Sequence, residues 1–145
     1  MTILNDTVLE SNKYGGGDLS SDAGLLLIKE FACKLGFVNI LKKEIKTNDS
    51  ASFRFHKDDE NLWQIIYQIL GAYFEDDCAD ELTNDPILTA VLAKNALASQ
   101  PTHSRFFNRL DDTTLNQFYD LMRRFRKVVY SIKKPEMILL ALDST

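Results

Sequence analysis

The chain has 145 residues, 45% hydrophobic, 26% charged and 10% aromatic, which excludes wholesale disorder and fits one ordinary domain with a core. Six Gly and three Pro exclude a collagen-like or low-complexity chain. The net charge of −4 hides an asymmetry: residues 1–104 carry 9 Lys/Arg against 16 Asp/Glu, and residues 105–134 carry 8 against 3, so the mean does not exclude a polyanionic partner.

Residues 1–19 include Gly15-Gly16-Gly17. The run lacks the spacing of a phosphate-binding loop, and the segment reads as a flexible lead-in. It has no basic stretch followed by an apolar one, so it is not a secretory signal, and no run approaches a membrane span. Cys33 and Cys78 stand apart, in neither a zinc nor a redox spacing, and read as reduced thiols. These features predict a soluble cytoplasmic protein.

From Ser21 the pattern is helical. Ser20 or Ser21 can cap, and Leu25, Ile28, Phe31, Ala32 and Leu35 recur at helical spacing until Gly36 stops the helix. Phe37–Ile45 predicts a short second helix with Val38, Leu41 and Ile45 on one side, and Thr47–Lys57 predicts a loop. A strong helix starts at Asp58, with Leu62, Ile65, Ile66, Ile69, Leu70 and Tyr73 facing one way and Trp63 flanking them. The acidic cluster Glu75–Glu81 reads as a solvated helix start, with a cation site as the alternative.

Asp85-Pro86 is a cap followed by proline at the first helical position, predicting a short helix to about Ala93. Pro101 marks another start. The two short helices have helix-turn-helix dimensions, with Pro101–Leu110 as the recognition element. Gln100, Thr102, Ser104, Arg105, Asn108 and Arg109 can meet base edges or phosphates, while Phe106, Phe107 and Leu110 anchor the other side. An ordinary charged surface helix is the alternative. His103 is a further possible contact.

The last helix is the most regular. Leu115, Phe118, Met122, Phe125, Val129 and Ile132 form a seam at 3-4-3-4-3 spacing, capped by Asp112 or Thr113 and ended by Lys133-Lys134-Pro135. Arg123, Arg124, Arg126 and Lys127 lie off that seam and suit phosphates, or simply solvent. Met137–Leu142 is a short apolar run that predicts a strand buried on both faces, with Asp143 at its end. A strand-end Asp is a candidate metal-binding, catalytic carboxylate.

Five blocks in order carry a resemblance. They are Leu19–Leu27 with Gly36-Phe37; Tyr67-Gln68-Ile69 with Gly71–Asp76; Leu82–Pro86; Ala98–Thr102 with Ser104-Arg105 and Asn108-Arg109; and Leu142–Thr145. Together, over residues 14–145, they resemble the N-terminal third of a bacterial insertion-sequence transposase of the DDE type, in the thirteen-eighty group. The resemblance implies a mainly α fold: a multi-helix DNA-binding region, then the first β-strand of a truncated RNase H-like α/β catalytic domain. It divides the chain into a lead-in (1–19), a helical DNA-binding region (20–134) and the start of the DDE domain (135–145).

The implied activity is DNA transposition, with binding to terminal inverted repeats in double-stranded DNA followed by excision and strand transfer. Asp143 matches the first of the two Asp and one Glu that bind Mg²⁺ in the full-length family. The second Asp and the Glu are not in this chain, so the resemblance implies an inactive, nucleoid-associated fragment holding no cofactor of its own. Full-length transposase or a second copy of the chain are further expected partners. Two rival readings are a non-enzymatic regulator of transposition, acting through the repeat or through Met137–Leu142, and a helical protein-interaction module.

Overall fold

The computed structural model describes residues 21–138 apart from Ser52 and Asp76. The predicted strand therefore lies largely outside the described residues, as does Asp143. Met137 and Ile138 are described, and they are exposed and in no strand.

All the regular structure among the described residues is helical. A 3-10 turn at Ser21–Ala23 leads into α1 (Gly24–Lys34), then α2 (Phe37–Glu44) and α3 (Asp58–Leu70). The single turn α4 (Cys78–Glu81) runs on into a 3-10 turn at Leu82–Asn84. α5 (Pro86–Leu92), α6 (Gln100–Phe107) and α7 (Asp112–Ile132) complete the set. No helix among the described residues is long and apolar enough to cross a membrane.

Local chemistry sets most boundaries as the sequence predicts. Gly36, at φ 71°, takes the left-handed conformation that separates α1 from α2. The Asp85 carboxylate accepts from the backbone N–H of Ile87 at 3.0 Å and Leu88 at 2.8 Å, and Pro86 follows. Two starts differ from expectation. The N-cap of α1 is Ala23, at the end of the 3-10 turn that leads into it, and it has no side-chain cap hydrogen bond. The N-cap of α7 is Asp111, one residue before the predicted pair, accepting from the Thr114 N–H at 2.8 Å and its hydroxyl at 2.9 Å.

The core gathers Leu25 and Ala32 of α1, Leu41 of α2, Leu62, Trp63 and Tyr67 of α3, and Ile87, Leu88 and Val91 of α5. Phe106 of α6 and Leu121 of α7 close it. Burial pushes the Tyr67 hydroxyl up to about 12. α1 packs on α2 and α5, α3 on α5 and α6, and α7 on α2.

Two predicted faces are rotated. On α3, Ile69 and Leu70 are exposed, whereas Asn61, Gln64 and Gln68 are buried beside Trp63 and Tyr67. The reason is a hydrogen-bonding demand from elsewhere in the chain. The Gln64 amide donates to the Ala98 carbonyl at 2.7 Å and accepts from the Ala98 N–H at 2.8 Å, with both residues buried. A polar side chain takes the inward position because it pairs backbone that would otherwise be buried unpaired. On α7 the buried residues are Thr114 and Leu121, Phe118 and Phe125 are half-buried, and Leu115, Met122, Val129 and Ile132 are exposed. α2 covers only one flank of the predicted seam.

Candidate nucleic-acid interface

The predicted contact residues stand on two supports. α6 is carried by α3 and the α4 turn, and the basic half of α7 is carried by α2.

On α6, Ser104, Arg105 and Asn108 are exposed, and Gln100 and Thr102 are half-exposed. Phe106 is fully buried and fixes the opposite side, as expected. Phe107 is exposed, however, and Leu110 only half-buried. His103 is buried and does not face solvent. The Asp80 carboxylate accepts from the Gln100 N–H at 2.9 Å, so the positive end of this helix is already met by an acid from the Glu75–Glu81 cluster.

Arg109 is engaged elsewhere. Its guanidinium donates to Asp58 at 2.7 Å, lies 3.5 Å from Asp49, and also donates to the Arg105 carbonyl at 2.9 Å. Asp49 additionally binds Arg54, and Asp58 accepts from the Thr47 hydroxyl. The Arg54 guanidinium, with the Ala51 N–H, holds the Asp49 carboxyl well below the usual carboxylate range. Arg109 thus ties the loop after α2 to the start of α3 and the end of α6.

The helix-turn-helix expectation meets a longer link than it needs. Ala93–Ser99 separates α5 from α6 by seven residues, against three or four in that motif. The link is held to α3 by Gln64 instead of turning tightly.

On α7, Arg123 pairs with Asp120 at 3.1 Å and Arg124 with Glu44 of α2 at 3.1 Å. Arg126 and Lys127 are exposed, with no ion pair among the described residues. α2 and α7 are antiparallel neighbours: Phe37 stacks on Phe125 with ring centroids 4.2 Å apart, and the Lys46 N–H donates to the Gln117 side-chain amide oxygen at 2.8 Å. This pairing adds cations that sequence reasoning missed. Lys42 and Lys43 in the last turn of α2, and Lys46 just beyond, are all exposed on the same two-helix unit. Three lysines in five residues after an apolar stripe were the available signal. They lie far along the chain from the basic segment 105–134, and only the fold joins them to α7.

Among the described residues no group of three or more His, Cys, Asp or Glu could hold a metal ion. The Mg²⁺ of a DDE centre therefore does not fit the described residues, and Asp143 lies outside them.

Residues 5–145 match the family model described as transposase DDE domain group 1. No curated protein and no solved structure matches the chain.

Proposed function

The chain belongs to the transposase DDE domain group 1 family, and from that premise we propose that residues 20–134 are a DNA-binding region for the terminal inverted repeats that such an enzyme excises and joins. The observation that carries this reading is the placement of charge. In a chain of net charge −4, Lys42, Lys43, Lys46, Arg123, Arg124, Arg126 and Lys127 are exposed on one packed two-helix unit. Clustered cations on a rigid support release counterions from DNA, which is the main source of affinity for a duplex.

In this reading α6 supplies the sequence-dependent part. Arg105 with Ser104 and Asn108 forms an exposed polar ridge, and Arg against guanine is the commonest specific base contact. Gln100 and Thr102 stand at its edge. Arg109 acts as a positioning residue, holding the end of α6 through Asp58. The family's phosphoryl transfer uses Mg²⁺ held by carboxylates. Asp143 is the proposed first of these, and the role assigned to residues 21–138 is binding. The finer placement, in the thirteen-eighty group and as the N-terminal part of the enzyme, rests on the five sequence blocks.

The test is fluorescence anisotropy on a duplex of the element's own end and on a shuffled duplex, each across a salt series. The variant Lys42→Gln/Lys43→Gln/Arg126→Gln/Lys127→Gln is expected to weaken binding to both. It should also flatten the slope of log K against log salt by roughly 3 to 4, at about 0.9 for each phosphate that is no longer neutralised. Arg105→Ala is expected to lower the preference for the end sequence while changing the slope by no more than about 1. An unchanged slope in the fourfold variant, or no preference for the end sequence in the parent, rejects the reading.

A further inference from the structure

α7 is 21 residues long, about 30 Å at 1.5 Å per residue. It packs on α2, where Phe125 stacks on Phe37, and Phe118, Leu121 and Phe125 turn toward the core. Beside that covered flank runs a second apolar stripe. Leu115, Met122 and Val129 stand seven residues apart, with Tyr119 and Arg126 interleaved at the same spacing. Leu115, Met122 and Val129 are 52%, 58% and 42% exposed, and Tyr119 is 63% exposed. A repeat of seven is the period of a helix that packs along another helix.

We propose that this stripe pairs with α7 of a second copy of the chain, antiparallel, about a two-fold axis through Met122. The charges choose both occupant and direction. Asp111 and Asp112 lie at the start of the helix, and Lys133 and Lys134 lie just past its end. With Met122 opposite Met122, Leu115 meets Val129, and Asp111 and Asp112 meet the far end that carries Lys133 and Lys134. The antiparallel arrangement also opposes the helix dipoles favourably. A parallel pair would set Arg126 against Arg126, Lys133 against Lys133 and Asp112 against Asp112, which is repulsive along its length. The stripe is self-complementary, as a two-fold contact requires.

One helix face is a small interface, so sedimentation of the whole chain between about 1 μM and 1 mM is the right window. A reversible dimer is expected. Met122→Glu places like charges on the axis and should raise the dissociation constant at least roughly tenfold, whereas Met122→Leu should preserve the dimer. Circular dichroism should be unchanged in both, because Met122 is exposed in the single copy. Direction is read by mild oxidation after Cys33→Ser and Cys78→Ser. Met122→Cys should cross-link to itself, and Leu115→Cys should cross-link to Val129→Cys in a mixture. Cross-linking of Leu115→Cys to itself would overturn the antiparallel axis. A monomer at every concentration would overturn the pairing altogether, leaving the stripe to residues outside 21–138 or to another protein.

Discussion

Gln64 commits both ends of its amide to Ala98, a residue 34 positions away, and the pair is buried. Removing the side chain strands one donor and one acceptor out of reach of water, each costing about 1–3 kcal/mol. Gln64→Ala is therefore expected to lower unfolding stability by about 2–4 kcal/mol, a large share of the roughly 5–15 kcal/mol typical of a domain. Urea unfolding with an unchanged m-value would register it as a shifted midpoint. A shift under about 0.5 kcal/mol would show that water replaces the amide. Nothing in the period of α3 announces this role. Gln64 sits where a hydrophobic count places a surface residue, and its partner is fixed only when the link Ala93–Ser99 comes to lie on α3.

At the scale of the element, caps decide where helices begin, and they are local enough to read directly. Asp85-Pro86 is such a case. Asp111 is another, missed by one residue because Asp111, Asp112 and Thr113 all suit a cap and only backbone geometry separates them. The Thr114 N–H and hydroxyl hold the Asp111 carboxyl below its ordinary 3.8. A carboxyl depressed in the folded state adds stability that is present above its unfolded value and is lost as pH falls through the folded one. Lowering the pH from about 6 to about 3 is thus expected to destabilise the parent more than Asp111→Asn, whose amide oxygen still accepts the Thr114 N–H but does not titrate. Equal losses in thermal melts at the two pH values would remove Asp111 from the acid response. Asp49 shifts in the same direction and leaves part of the response in the variant.

At the scale of the whole molecule, Arg109, just past the end of α6, joins three pieces: the loop after α2 through Asp49, the start of α3 through Asp58, and α6 through the Arg105 carbonyl. A cation read from the sequence as a DNA contact stands, in the fold, between two carboxylates. Arg109→Ala is expected to loosen that loop, so limited proteolysis should cut between Thr47 and Lys57 several-fold faster than in the parent. Arg105→Ala, on the exposed side of α6, should leave the cleavage rate alone. Equal cleavage in Arg109→Ala and the parent would make the ion pairs incidental. The same distinction matters for binding, because a loss of affinity in Arg109→Ala would then report position and not contact.

The sequence by itself determined the helical class, the order of the helices, most of their ends and the family. Those properties depend on neighbours within a few residues, or on ordered blocks of residue types. It also placed Arg105, Arg126 and Lys127 at exposed positions, since charge on the outer face of an amphipathic helix is a local property. Only the tertiary structure decided which polar residues turn inward on α3, that Arg109 is held by Asp58, that Lys42, Lys43 and Lys46 join the cations of α7, and that one flank of the α7 seam stays open. Each of these depends on what a distant segment brings against the helix: a backbone amide to be paired, a carboxylate to be neutralised, or a neighbour too short to cover the whole apolar face.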